Sequence, residues 1–434
     1  MISFSRREFI MSSMGTLTGS GLASLGALEP FLSKTKRLPG TGTGYLYDPR
    51  FLDHPHSTER PERLAAIENM MLSSGLLAQV VSIAPSDIFN VKDAVLLVHT
   101  PAHYAGVSRI PLTGPVAGLA AAGALAAVDA VCKGEIKNAF CAIRPPGHHA
   151  HNSGGEEGFC FYGNAAIATK YAQQTYPYLI KRVLIIDWDY HHGNGTQDFF
   201  YSDPTVLFFS THDWHAYPGT GDPALKGEGA GYGFNINVHM AAGSSDSDFV
   251  KAWNEQLLPA AASFKPDLVI ISAGFDSKQN DSLGTFTLTP AGYGALTTMA
   301  MQIASTHCCG RLISLLEGGY ADADDGGFDG IAISAKGHIE ALIATSGDQS
   351  CLLSNRKVPA RKPFTVNKDV ITLQKTDVRI TGAWIVDGCG RTLLKASGEM
   401  LGSGKITCKV GWRSSYLILH RQDLSPLIYP IDIR

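Results

Sequence analysis

The chain has 434 residues, 44% of them hydrophobic and 17% charged, with 46 glycines and 22 prolines, which excludes a disordered or collagen-like protein and leaves room for one large domain plus a smaller module. Its eight cysteines form no CxxC pair, and the nearest approach to the roughly 20 apolar residues that cross a bilayer, Met11 to Leu28, is broken by Gly, Ser and Thr, so neither a disulfide scaffold, a cysteine-built structural zinc site nor a clear membrane span is expected. The net charge of -3 divides unevenly, with +3 on residues 1–37, -14 on the middle and +8 on residues 351–434: a basic tail on an acidic body, which either binds something anionic or else docks on its own acidic domain or is merely a soluble face, the latter being favoured because no long Lys/Arg run is present.

The N-terminus reads Ser5-Arg6-Arg7-Glu8-Phe9-Ile10, followed by a mildly apolar stretch rich in Gly, Ser and Thr to Leu28. Residues 1–37 therefore resemble a twin-arginine export signal, which implies a periplasmic or exported protein; the alternatives are an ordinary flexible tail and a cytoplasmic protein. No clean Ala-x-Ala site follows, so such a signal would remain as an uncleaved anchor.

From residue 44 to residue 345 short apolar runs alternate with helical segments, the pattern of an α/β fold with a central parallel sheet. The runs are Ala139 to Ile143, Val183 to Ile186, Val206 to Phe209, Leu268 to Ser272 and Leu312 to Leu316. A helix is predicted from Pro61 to before Gly75, because proline suits a first helical position and glycine a stop, and an Ala-rich helix from Gly118 to Val131. Residues 346–362 read as a linker. Residues 363–434 read as a small β-rich module of unassigned role, with β-branched stretches at Val370 to Leu373, Val378 to Ile380, Ile406 to Val410 and Tyr416 to Leu419.

Ligands of open parallel sheets bind beyond the carboxyl ends of the strands. Four of the runs are followed there by chemistry: Arg144-Pro145-Pro146-Gly147-His148-His149, then Asp187 to Gly195 (Asp-Trp-Asp-Tyr-His-His-Gly-Asn-Gly), then Ala273-Gly274-Phe275-Asp276, then Glu317-Gly318-Gly319-Tyr320. The two-residue strand period puts Asp187, Asp189 and His191 on one side. With Asp276 from another strand end, Asp189 and His191 make three nitrogen and oxygen ligands. Three ligands with an open position describe a catalytic zinc site, whereas a structural site is closed by four ligands, commonly cysteines.

These segments, together with Glu59-Arg60-Pro61-Glu62-Arg63-Leu64, Gly158-Phe159-Cys160 and Tyr217-Pro218-Gly219-Thr220-Gly221, resemble in this order the zinc-dependent histone deacetylase superfamily, especially its class II and bacterial deacetylase-like members. The resemblance covers residues 45 to 345 and implies a three-layer arginase/deacetylase-like fold. It makes Asp189, His191 and Asp276 the metal ligands, for Zn2+ with Fe2+ as the alternative. It makes His149 the general base oriented by Asn194, His148 its protonated neighbour buttressed by Asp187, and Tyr320 the oxyanion donor. Gly158, Phe159 and Tyr217 would wall a narrow substrate tunnel, and Asp187 with Ser210 matches a monovalent-cation site, for potassium. Class I members carry Asp where this chain has Asn194.

The implied substrate is an acetylated lysine of a peptide or protein. The alternative is an acetylated polyamine or another acetylated amine; polyamine-selective relatives carry a Glu where this chain has Leu283, which favours acyl-lysine. The segment Ile110 to Gly118 is shorter than the family's usual rim loop. A binuclear manganese ureohydrolase, which shares the broad fold, needs carboxylates where this chain has Gly193 and Gly274. A catalytically silent acyl-lysine binding module is disfavoured because Tyr320 and all three ligand positions are filled. No complete GxGxxG, GxxxxGK[ST] or HExxH occurs, and the basic tail carries Trp384 and Trp412 without a nucleic-acid motif, so nucleic acid is not an expected partner. Oligomeric state has no signature.

Overall fold

The computed structural model describes residues 42–85, 91–177 and 179–345, and after these the backbone of a set of strands between 364 and 431. The twin-arginine-like segment and the linker lie outside the described residues.

Eight parallel strands form one sheet in the order β2-β1-β3-β8-β7-β4-β5-β6. They are β1 Thr43–Leu46, β2 Val81–Ile83, β3 Asn138–Cys141, β4 Val183–Asp187, β5 Val206–His212, β6 Asn235–His239, β7 Leu268–Ala273 and β8 Leu312–Leu316. All five apolar runs become strands, and every residue of β3, β4, β5, β7 and β8 is buried, as expected of strands covered on both faces. Strands β1, β2 and β6 were not expected. Strand β2 has only three residues, two of them exposed, and Asn235–His239 (NINVH) interleaves asparagines with apolar residues, so neither forms an apolar run.

The helix after Pro61 spans Glu62–Ser73, with Gly75 beyond its end at a φ of 73°. The Ala-rich helix spans Thr113–Cys132, longer than predicted. By length and composition it is apolar enough to cross a membrane, and 72% of its apolar window is buried inside the fold. It is the one helix among the described residues that meets that criterion, and Met11 to Leu28 lies outside them. Its small side chains allow close packing beside β1, β3 and β8. The rim segment ahead of it turns through Leu112, which is 62% exposed at a φ of 63°.

In the C-terminal stretch, Phe364–Asn367, Val370–Leu373 and Lys405–Thr407 form a three-stranded sheet. Ile380–Val386, Thr392–Ala396, Ser415–Arg421 and Leu424–Ile431 form a four-stranded one. Both are antiparallel, in keeping with a β-rich module. The five cysteines among the described residues are free thiols.

Candidate metal centre and its surroundings

The four chemistry-bearing segments leave the carboxyl ends of β3, β8, β7 and β4, four adjacent strands at the centre of the sheet. Strand β4 ends at Asp187, so strand alternation does not extend through His191. A ladder of carboxylates replaces it: Asp187 Oδ1 accepts from the Asp189 amide at 3.1 Å, and Asp189 Oδ1 from the His191 amide at 2.9 Å. Asp and Asn side chains readily bond backbone two residues on, which is how the same spacing converges without a strand.

Asp189, His191 and Asp276 are buried, and one ligand atom from each lies within 4.8 Å of the others. His191 Nδ1 stands 3.2 Å from Asp189 Oδ1 and 2.9 Å from Asp276 Oδ2. The carboxylates are also tied to backbone: Asp189 Oδ2 accepts from the Gly318 amide at 2.8 Å and Asp276 Oδ1 from the Tyr190 amide at 2.9 Å. Burial, with Asp189 adding to it, pushes Asp276 up to about 7 against the pull of His191. Burial likewise disfavours the His191 cation, but Asp189 and Asp276 outweigh it and raise the ring to about 10. Burial would raise Asp189 too, yet His148 and His191 hold it below the usual carboxylate range. Two buried carboxylates at one imidazole form a cradle whose charge a divalent cation balances, and a donor set of two oxygens and one nitrogen suits zinc. The backbone passes close behind the carboxylates: a Cβ on Gly274 would collide with the Asp189 carboxylate, and one on Gly318 with Asp276 and Asp189. A Cβ on Gly193 would strike the Asp187 carboxylate. Neither Gly193 nor Gly274 therefore has room for the extra carboxylate of a binuclear site.

His148 and His149 sit beside this cluster with ring centroids 4.0 Å apart, in opposite electrostatic states. Burial works against protonation of His148, but Asp189 and Asp187 overcome it and raise the ring well above the usual range. Its Nδ1 is 3.1 Å from Asp187 Oδ2. His149 is held well below the usual range by burial and then by the neighbouring His148 cation. Its Nδ1 is 2.7 Å from Asn194 Oδ1, at the start of the helix Asn194–Phe200. Asp187 is raised by burial, offset in part by His148.

Tyr320 is buried, and burial followed by Asp276 and Asp189 raises its phenol well above the usual value, so the hydroxyl keeps its proton. Its ring is 5.8 Å from Phe159 and 6.4 Å from His191. Tyr217 lies edge-on to His149 at 5.0 Å and is 53% exposed, which removes it from the core. Phe159 is held at a φ of 68°, a strained value for a non-glycine residue. Gly158 before it has a φ of 52°, and a Cβ there would meet both His149 and Tyr217. Leu283 is 39% exposed, with its amide on Asp281 Oδ1 at 2.9 Å. Ser210 stands beside Asp187 in the β4–β5 register, its hydroxyl 2.7 Å from His212 Nδ1.

Several residues that support the cluster stand in the quoted segments but were assigned no role by sequence reasoning. Glu317 Oε2 accepts from the Gly147 amide at 2.6 Å and the His148 amide at 3.1 Å, while Oε1 accepts from Ser272 Oγ at 3.1 Å. One carboxylate from β8 thus fixes the histidine segment after β3. Cys160 accepts from the His149 amide at 3.4 Å. Arg63 and Arg144, both buried, share the Glu59 carboxylate. Arg144 also donates to the carbonyls of Phe51 at 2.8 Å and His54 at 2.9 Å. Arg63 donates to the carbonyls of Gly319 and Glu317, immediately before Tyr320. Glu59 and Arg63 stand in a quoted motif; their burial, the missing signal, belongs to the tertiary fold.

The model of the histone deacetylase domain family matches residues 56–327. The Archaeoglobus fulgidus protein named probable deacetylase is 37% identical, over 64% of this chain and 81% of its own. Schizosaccharomyces pombe histone deacetylase clr3 is 36% identical over 69% of this chain, which spans only 48% of that relative's length. The crystal structure of the HDA15 HD domain superposes with a TM-score of 0.64 and 34% identity, over 71% of this chain and 90% of that one. Strand order, central strand ends and motif matches agree: this chain belongs to the histone deacetylase family.

Proposed function

We propose that the chain is a zinc-dependent amidohydrolase that removes acetyl or short acyl groups from lysine side chains of peptides or proteins. The observation that carries this reading is the convergence of Asp189, His191 and Asp276 beside a neutral His149 and a protonated Tyr320. Zinc held by those three residues supplies a water of lowered pKa and polarises the acyl carbonyl. The remaining work falls to the chain. With Asn194 Oδ1 accepting from Nδ1, His149 keeps a bare Nε2 that takes the water's proton and passes it to the leaving amine. The His148 cation opposes a second positive charge on His149 and so keeps it a base. The Tyr320 hydroxyl donates to the oxygen that gains charge, a contribution worth about 3–4 kcal/mol where a single donor has been removed. Phe159 and Tyr217 wall the approach, and Gly158 leaves room for the His149 ring between them.

Two further assignments belong to the same proposal. Asp187 and Ser210, neighbours in the β4–β5 register, would be the residues that hold a potassium ion. Residues 1–37 direct export by the twin-arginine route, which fractionation of the source cells tests.

The test of the activity is turnover of a fluorogenic acetyl-lysine peptide beside an N-acetylated polyamine by the zinc-loaded chain, with Asp276→Ala as control. Faster peptide cleavage, lost in the control, supports the proposal. Faster polyamine cleavage replaces the substrate class, and no cleavage of either removes the acetyl reading in favour of another acyl group or a silent binding module.

A further inference from the structure

Lys278 lies two residues beyond Asp276 and is only 2% exposed, and no step of the proposed chemistry uses it. Its ammonium reaches Asp322 Oδ1 at 2.6 Å, Asp281 Oδ2 at 3.3 Å and the Asn280 carbonyl at 3.4 Å. Asp281, itself 4% exposed, spends its carboxylate on two backbone amides: Oδ2 accepts from Tyr320 at 2.8 Å and Oδ1 from Leu283 at 2.9 Å. Asp322 Oδ2 accepts from the Gly330 amide at 2.9 Å, within the first turn of the helix Asp329–Thr345.

The two segments around this cation are also laced by backbone. The Ser282 amide donates to the Ala321 carbonyl at 3.0 Å, the Ala323 amide donates to the Asn280 carbonyl at 2.9 Å, and Asp281 faces Asp322 in an antiparallel bridge. One segment carries the candidate ligand Asp276 and the rim residue Leu283, and the other carries Tyr320. On the far side, Arg63 holds the Gly319 carbonyl and places its guanidinium 5.2 Å from the centre of the Tyr320 ring. Tyr320 is therefore gripped from both sides, by Arg63 through the preceding carbonyl and by Asp281 through its own amide.

The geometry points to Lys278 as a positioning residue that sets the Tyr320 hydroxyl through Asp281. Asp281 and Asp322 face each other in a water-poor site, and their repulsion is relieved by the single ammonium between them. A charged carboxylate makes a shorter and stronger bond to an amide than a neutral one, so the cation preserves the bond that fixes the Tyr320 backbone. An apolar side chain of similar length fills the space but leaves the buried Asp281 carboxylate beside the partly buried Asp322 carboxylate with no cation between them, and the Tyr320 segment moves to separate them. A displacement of about 1 Å at a catalytic group costs on the order of a hundredfold in rate.

This inference rests on the Tyr320 role proposed above, and the experiment separates the two. Lys278→Met is compared with the unsubstituted chain, each alone and combined with Tyr320→Phe, for kcat, KM and bound zinc. The expected result is a kcat loss of about ten- to a hundredfold in the Tyr320 background, with KM and zinc content within about twofold. In the Tyr320→Phe background the same substitution changes kcat by less than about twofold, because no hydroxyl remains to misplace. An unchanged kcat, or equal losses in both backgrounds, overturns the inference. If Lys278→Met does not fold, Lys278→Gln keeps a donor towards the carboxylates while removing the charge, and the same comparison decides. No turnover by the unsubstituted zinc-loaded chain overturns the deacetylase reading, and the positioning role with it.

Discussion

His149 Nδ1 lies 2.7 Å from Asn194 Oδ1, while the adjacent His148 Nδ1 lies 3.1 Å from the Asp187 carboxylate. Burial and the His148 cation lower His149 against a small upward pull from its neutral partner Asn194, whereas Asp189 and then Asp187 raise His148 against burial, so the two proton affinities separate in opposite directions from the ordinary value. Replacing the neutral partner by a carboxylate attacks this separation directly. In Asn194→Asp the new anion favours the His149 cation, so the base is protonated up to a higher pH. The acid limb of kcat/KM should move upward by roughly one to three pH units. A pH-rate profile of both forms checks it, and an unmoved limb assigns the base elsewhere.

Gly274 has no room for a side chain because a Cβ would meet the Asp189 carboxylate. In Gly274→Ala that carboxylate must turn away from His191, and zinc affinity should fall by about 10- to 100-fold, as for other displaced ligand supports. Competition with a chromogenic chelator reads this without reference to activity. Chelator treatment of the unsubstituted chain should abolish turnover, and added zinc should restore it.

Glu59 is the shared counter-ion of Arg63 and Arg144, and all three are fully buried. Glu59→Gln leaves two guanidiniums in the interior without their carboxylate, which should cost about 3–5 kcal/mol of stability. Chemical denaturation followed by tryptophan fluorescence measures it. Arg63 also grips the carbonyl before Tyr320, so kcat should fall in the fraction that remains folded.

His338 is buried between Thr297 and Ser314, its ring nitrogens 2.6 and 2.9 Å from their hydroxyls, and burial lowers it to about 3. The unfolded chain takes up a proton on this ring near pH 6.5 and the folded chain does not, so stability rises with pH across that window and is lost as pH falls from 6.5 towards 3. The slope is about 1.4 kcal/mol per pH unit for one such group. His99, lowered to about 4 chiefly by burial, acts in the same direction. Unfolding free energies at pH 7 and pH 5 should therefore differ markedly, and by less in His338→Gln.

Much of the architecture was legible in the chain because its cues are local. The runs at Val183 to Ile186 and Leu268 to Ser272 are continuous and β-branched, which a doubly covered strand requires, and Pro61 and Gly75 mark the two ends of one helix. Strand β2 and the polar-interleaved β6 escaped because a short or exposed strand needs no apolar run. The convergence of Asp187, Asp189 and His191 was foreseen from strand alternation, yet it arises from a ladder of side-chain-to-amide bonds beyond the strand end.

Which strand ends carry chemistry is written locally in the chain, since motifs, turn residues and apolar runs are properties of neighbouring positions. Which of those ends meet depends on how the strands are ordered in the sheet. The order that places β7 between β8 and β4 sets Asp276 against Asp189 and His191, and the placing of β8 beside β3 sets Glu317 under His148. Arg63 meets Gly319 across 256 positions, and Lys278 meets Asp322 across 44. Pairings at such separations follow from sheet order and burial, which no local periodicity encodes.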